Sequence, residues 1–510
     1  MRKIFYFVLI AIISCLPVIH SPFSVNAAST SIAYKSKING QSSHKYIFTT
    51  STSSIVTINN LLTNNIDVYA VIVDSTTGEN YISGDALPAG TYNFIVSNNN
   101  SLALDYSYTL SGPTFLTNVS SMPSLNITDP AAYFTKLPKG VFGISLSGSS
   151  TGENYYSSTY YNINGSQNMG LSNPFKVTIP ISFGRNFLSI STGSSNYINT
   201  INKEILAPGL KRLGGTTVFD TSVLVSKEIS NLNYKSNTVI ITNAEKHWDG
   251  IAATVLAYEN KAPILFTQSD AIPIAIENEI YRLKPTKAII VGSTAVVTST
   301  VESKLKALGI AEVQRVGGAT RYDTSVAVAK QIVGPENDTA IIVNGESIPS
   351  QINIASVAAQ SKIPVLTTTS TSVPTVTETF IKENPSILNF IVIGNETEIG
   401  TTVTSKLDQY GNVSRIDNLN RYDLGVNISN YFFVEPTSFI IARGDVYSSG
   451  VIAGPLAALK NYKVLLTPYN NLNTDVENYL IANQDYLENF YIMGTSITTD
   501  VTNKLDSFVR

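Results

Sequence analysis

Arg315-Val316-Gly317-Gly318-Ala319-Thr320-Arg321-Tyr322-Asp323-Thr324 is the stretch on which the fold turns, because its frame recurs. Arg212-Leu213-Gly214-Gly215 precedes it and Arg415-Ile416-Asp417-Asn418 follows it, at intervals of 103 and 100 residues. Two more landmarks keep the same phase. Ile289-Ile290-Val291-Gly292 returns as Ile391-Val392-Ile393-Gly394 and as Tyr491-Ile492-Met493-Gly494. Ile264-Leu265-Phe266 returns as Val365-Leu366-Thr367 and as Val464-Leu465-Leu466. Three landmarks in register over three copies define a triplication.

Within the first copy, helical patterns starting at Thr221 and Gly250, and running over Ile276–Leu283 and Val301–Leu308, alternate with short β-branched runs. Those runs are Thr238–Ile241, Pro263–Phe266, Ala288–Val291 and the segment at Val313. Continuous apolar strands between amphipathic helices mean a parallel sheet covered on both faces. The sequence therefore predicts an α/β fold of three tandem doubly wound, Rossmann-like parallel-sheet modules over 210–312, 313–412 and 413–510. Each is long enough to hold its own core.

Upstream the character changes. Residues 28–211 carry 8 acidic and 9 basic side chains in 184 positions, against 29 and 23 in the remaining 299. Period-two alternation at Tyr46 and Phe48, at Tyr92, Phe94 and Val96, and at Tyr106, Tyr108 and Leu110 marks half-buried strands. Asn64-Asn65 and Asn98-Asn99-Asn100 read as turns. An all-β region is expected, with a β-sandwich over 28–112 and a second β-rich region over 113–209. Gly193-Ser194-Ser195 to Gly209 reads as the join to the repeats.

Arg2 and Lys3, the apolar run Ile4–Leu16, Pro17 and Pro22, and the small-residue site Val25-Asn26-Ala27 predict a signal peptide over 1–27. Lipid attachment at Cys15 is the competing reading. No later apolar run reaches the ~18 residues of a membrane span, so no membrane partner is expected after cleavage. The formal charge of −3 argues against nucleic acid, which demands a basic surface.

The copies resemble the clostridial cell-wall-binding repeat of the second type, found in threes in surface-layer-associated proteins. Arg315 to Thr324 carries the fullest signature and Arg421-Tyr422-Asp423 retains its centre, whereas Val218-Phe219-Asp220 lacks the second arginine. The resemblance implies modules packed around a pseudo-threefold axis and an anionic wall polysaccharide held non-covalently. Other surface-layer proteins or a host glycan are further candidate partners.

Arg212, Arg315, Arg321, Arg415 and Arg421 are the candidate polymer-binding residues. They fall at the carboxyl ends of strands, where loops and helix N-termini receive anions, and a guanidinium fork grips phosphate or carboxylate in two places. The alternative pairs them with acids between modules. The family's Ile-Leu-Leu run, implicated in anchoring, maps onto Ile264, Leu265, Phe266, onto Val365, Leu366, Thr367 and onto Val464, Leu465, Leu466. Read from the residues alone, these are central buried strands. Asp220, Asp323 and Asp423 are read as helix N-caps. The Gly-Gly pairs lack dinucleotide spacing, so no cofactor is expected. Asp417-Asn418 in place of Gly-Gly, and Ser350-Gln351 and Ser449-Gly450 in place of Asp249-Gly250, predict unequal modules.

Proteins with such repeats often carry an amidase or protease. After signal cleavage this chain keeps His44 and His247 and no cysteine. That is poor material for a zinc site or a cysteine nucleophile. Lys246-His247-Trp248-Asp249 reads as a surface loop. The expectation is a secreted, non-enzymatic surface protein without metal. An adhesin or carbohydrate-binding protein acting through the β region is the alternative, and a wall hydrolase the third reading.

Overall fold

The computed structural model describes residues 29–509 apart from 61–67, 101, 116–123, 152–157, 194–196, 233, 235, 247–248, 335 and 433–436. The signal peptide with Cys15, the Asn64-Asn65 turn and the His247-Trp248 pair lie outside the described residues. Two units divide the chain, Met1–Ala207 and Pro208–Arg510.

In the first unit, alternation produces two sandwiches. Ser29–Ile38, Leu104–Phe115 and Thr57–Asn60 pair antiparallel as one layer. Ser42–Thr50, Gly90–Asn98 and Val68–Asp74 form the facing layer. The alternating aromatics all point between them: Tyr34, Tyr46, Phe48, Tyr92, Phe94, Tyr106 and Tyr108 are buried. Four of the tyrosine hydroxyls find partners there, those of Tyr46, Tyr92, Tyr106 and Tyr108. Tyr92 Oη donates to the Pro88 carbonyl (2.8 Å) and Tyr108 Oη to that of Val68 (3.0 Å). Tyr106 Oη lies 2.8 Å from His44 Nδ1 and also bonds Tyr46 Oη. Burial pushes the His44 imidazole down to about 4, so the ring sits in the core uncharged.

The second sandwich packs Ser124–Asp129, Gly143–Thr151 and Phe175–Pro180 against Ser158–Ile163, Gly184–Gly193 and Tyr197–Ala207. Tyr197–Ala207 also pairs with Ser42–Tyr46, so one sheet runs through both sandwiches. The expected join over 193–209 is thus corrected: Tyr197–Ala207 within it is a core strand. Ile201 and Ile205 are buried in alternation, but Asn199, Asn202 and Lys203 between them disguise it. Lys203 is itself buried, with Nζ donating to the Ala131 carbonyl (2.7 Å). Pro208 alone separates this strand from the next, Gly209–Leu213.

The second unit holds twelve helices and twelve strands among the described residues. Helices α1 (Val218–Ser230), α2 (Gly250–Glu259), α3 (Ile274–Leu283) and α4 (Ser299–Ala307) serve the first module. Helices α5 (Arg321–Ile332), α6 (Ile348–Gln360), α7 (Thr375–Glu383) and α8 (Thr401–Leu407) serve the second. The third has α9 (Asp423–Phe432), α10 (Tyr447–Lys460), α11 (Thr474–Ala482) and α12 (Thr499–Phe508). Each sheet has four parallel strands, the order in the first being Ile264–Thr267, Thr238–Asn243, Lys287–Val291, Glu312–Val316. Helices α2, α6 and α10 pack on one another in all three pairings, which places a pseudo-threefold axis between them.

Sequence period and folded module are offset by one strand. The strand bearing Arg315 completes the first sheet and the strand bearing Arg415 the second. The strand bearing Arg212, first in the unit, completes the third sheet: Gly209–Leu213 pairs parallel with Asn489–Met493. The ring is closed by its own first strand.

Ile264–Phe266 and its two counterparts occupy the edge of each four-stranded sheet rather than the centre. They are nonetheless buried, apart from Val365, which is partly covered. The free edge is capped from the helix beside it. Ser222 Oγ donates to the Ile264 carbonyl (3.0 Å) and accepts from Phe266 N (3.4 Å), while Ser325 Oγ accepts from Thr367 N (3.2 Å). An edge strand so covered cannot recruit another chain. Gly425 stands at the third equivalent position, and a Cβ there would crowd Asn353 and Leu465.

The helix caps also correct an expectation. Thr217 and Thr320, not the aspartates, are the N-caps of α1 and α5, with Asp220 and Asp323 at N3 completing capping boxes. At α9, Asn420 Oδ1 accepts from Asp423 N (3.2 Å) and the Asp423 carboxylate accepts from Asn420 N (2.9 Å).

Candidate functional site

The carboxyl ends of the parallel strands are where the predicted arginines converge, and they fall into two groups. Arg212, Arg315 and Arg415 close the fourth strand of a sheet and turn their guanidinium groups onto the loop that follows the third. Arg212 donates to the carbonyls of Gly494 (2.9 Å) and Ile497 (2.8 Å). Arg415 does the same to Gly394 (2.5 Å) and Ile399 (2.8 Å), and Arg315 to Gly292 (3.0 Å) with Glu302 alongside (3.4 Å). All three are partly buried. A planar fork matched to two carbonyls is a loop clamp, and the partners lie within the module rather than between modules.

Arg321 and Arg421 act one step further on. Arg321 Nη1 donates to the Gly345 carbonyl (2.9 Å) and Arg421 Nη1 to that of Gly444 (2.8 Å). Each thus ties the start of its module's first helix to the loop after that module's first strand. The approach requires glycine. A Cβ on Gly345 would meet Arg321 Cδ and Tyr322 Cε1 at 3.0 Å, and one on Gly444 would meet Tyr422 Cε1 at 2.6 Å. Where the arginine is missing, at Val218, the corresponding loop carries Ala244. That covariation is the signal from which the fastening role could have been read.

The first module, where that arginine is missing, is joined to the third sheet by a different cluster, and sequence reasoning missed it. Lys211 Nζ donates to Glu228 Oε2 (2.6 Å), and Tyr491 Oη donates to the other oxygen of the same carboxylate. Lys460 lies 5.6 Å from the centre of the Tyr491 ring, its ammonium disfavoured by burial and supported by Glu228. None of this recurs in the other copies, which have Gln314 and Ser414 where this one has Lys211.

Between the loops following the first and third strands lies the crevice where a doubly wound sheet accepts ligands. In the second module it opens as a cleft of about 540 Å³. Asn344, Glu346, Asn395 and Glu398 line it from the module itself, and Asn418, Asn420, Arg421 and Tyr422 from the segment leading into the third, with Tyr447 of α10. Arg421 is the most exposed of the five predicted arginines. A carboxylate lies beneath the glycine of the third-strand loop in two modules, delivered from different places. Asp249 reaches Gly292 from the start of α2, and Glu398 reaches Gly394 from the loop itself. Burial holds the Asp249 carboxyl above its usual range, with Thr324 and Arg321 opposing. The third module has Ser449 there.

Comparison with known proteins gives this architecture its family. A family model, cell wall binding domain 2, matches residues 212–302, 315–404 and 415–500, and the chain belongs to that family. Among solved structures, Cwp6 from Clostridium difficile superposes with a TM-score of 0.58 at 22% identity, covering 76% of this chain and 68% of that one. Cwp8 from the same organism gives 0.54 at 24%, covering 64% and 60%. These likenesses are of fold. Two curated relatives come from Bacillus subtilis. N-acetylmuramoyl-L-alanine amidase LytC is 31% identical over 58% of each chain, and an amidase enhancer is 28% identical over 58% of this chain and 40% of its own. The match therefore spans less than two thirds of either relative. The protein is a secreted, cell-wall-associated surface protein with three wall-binding repeats.

Proposed function

We propose that the α/β unit anchors the chain non-covalently to an anionic wall polysaccharide and that the β unit is displayed without catalysing a reaction. The observation that carries this is the closed ring of three wall-binding modules, whose strand ends open into a cleft with Arg421 exposed at it. A solvent-facing guanidinium in a concave site suits an anionic repeating unit. The non-enzymatic part is supported by His44, which is buried, uncharged and hydrogen-bonded to Tyr106 instead of facing solvent. The full chain should sediment with purified walls and stay in solution once the wall polysaccharides have been extracted. Retention on bare peptidoglycan would overturn the anchoring mechanism, and a cleared band in a wall zymogram would overturn the non-enzymatic part.

One observation favours a second reading, glycan contact by the β unit. The tyrosines of the first sandwich are core residues, but the second sandwich exposes Tyr133, Phe134 and Phe187 beside the Arg185–Glu204 ion pair. Exposed rings next to polar groups suit sugar stacking. A glycan array probed with the full chain and with a Phe134→Ala/Phe187→Ala variant separates displayed spacer from lectin.

A further inference from the structure

The cleft of the second module is rich in hydrogen-bond acceptors, which is unexpected for a site that grips a polyanion. Glu346 is exposed at it and forms no ion pair among the described residues. Its counterpart in the third module, Asp445, is neutralised by Arg443 through two bonds of 2.8 and 2.5 Å. Glu398 adds a second carboxylate, held by Ser350 Oγ (2.7 Å) and by no cation among the described residues.

Asn418 makes the independent case. It is 6% exposed, it lines the cleft, and its Oδ1 has no hydrogen-bond partner. Its Nδ2 is engaged with the Asn420 carbonyl (3.2 Å) and its own carbonyl accepts from Asn395 Nδ2 (3.2 Å). The rest of the side chain is therefore fixed and one buried acceptor is left open, a costly state unless a donor arrives. The other two copies have Gly215 and Gly318 at this position, so the acceptor is peculiar to this cleft.

We propose that this cleft is the specificity site of the anchor. It receives a donor-bearing sugar unit of the wall polymer, an ammonium or a cluster of hydroxyls, on Asn418 Oδ1, Glu346 and Glu398. Arg421 takes the neighbouring anionic group. The recognised unit therefore pairs a donor with an acid, and a plain polyanion is rejected by the two carboxylates. This rests on the anchoring reading above and adds the chemistry of the unit that is held.

The test measures binding of the full chain to purified, polysaccharide-bearing walls, together with calorimetric titration by a glucosamine oligomer. Asn418→Gly restores the residue of the sister copies and Glu346→Gln is an isosteric surface change, so both variants keep the fold. Each should weaken wall binding about tenfold, the discrimination expected for one buried polar contact. Glu245→Gln, the same position in the first module, should leave binding unchanged. N-acetylating the walls identifies the donor. If binding falls and Glu346→Gln then has no further effect, the donor is an ammonium. If binding persists and both variants still weaken it, the donors are hydroxyls. Wall binding by both variants equal to that of the unaltered chain overturns the proposal. Failure of the unaltered chain to bind walls at all overturns the anchoring reading instead, and the oligomer titration, lost or retained in Asn418→Gly, still decides the cleft.

Discussion

Two modules of the α/β ring hold their first helix by one device and the remaining module by another. In the second and third modules an arginine at the start of the first helix reaches a glycine carbonyl in the loop after that module's first strand. In the first module Val218 stands in that arginine's place. A strand is inserted into the third sheet and the buried Glu228–Tyr491 pair, with Lys211 at its rim, seals it. At all three joints the chain runs on from the fourth strand of one sheet into the first helix of the next module. What sets the first module apart is the chemistry that holds that helix.

The contrast can be broken most severely at the inserted strand. Leu213 is 4% exposed and pairs with Met493. Leu213→Asp should lower the stability of the α/β unit by about 4 kcal/mol, since a carboxylate is forced into an apolar layer without a partner. Thermal unfolding and proteolysis within 208–510 would report it, and a shift no larger than that of a surface variant would refute the closing role. Glu228→Leu should cost about 3 kcal/mol by leaving Lys460 buried with its counter-charge gone. Adding Lys460→Met should recover much of that loss, which chemical denaturation of single and double variants would measure.

An acid titration sharpens the comparison from outside the ring. The imidazole of His44 titrates near 4 when folded and near 6.5 when unfolded, so the unfolded chain binds the extra proton between those values. The β unit should therefore lose stability as pH falls through that window, by on the order of 3 kcal/mol in all. His44→Gln should flatten this slope without touching the α/β transition. Gly444→Ala should loosen a staple by about 2 kcal/mol through contact with Tyr422, whereas Ala244→Gly, at the junction without an arginine, should change stability by under about 1 kcal/mol. The smallest expected effect is at the covered strand edge. Ser222→Ala frees a backbone N–H and C=O there and should cost about 1 kcal/mol.

The period was legible because apolar runs and Gly turns must recur wherever the same sheet is built. Its phase was not. Whether the strand holding Arg212 opens one module or completes another depends on which sheet edge is vacant, and that partner lies 282 residues away. The arginines were found but their partners were misjudged. Backbone carbonyls accept from all five guanidinium groups here, and a carbonyl leaves no mark in the sequence. Alternation identified the strands of the β unit through Tyr46, Tyr92, Tyr106 and Tyr108, and these residues are core; it is silent on which exposed rings, such as Phe134 and Phe187, gather on the other face. The Asn418 substitution was noticed as a loss of glycine. Only the folded cleft gives it the character of an acceptor.

Ring closure also bears on how the molecule is made. The first strand of the anchor is synthesised long before Asn489–Met493 exists to receive it. Until then the third sheet is incomplete, and Gly209–Leu213 has no strand beside which to settle. Maturation waits for the last segment to emerge, a timing device written into connectivity alone.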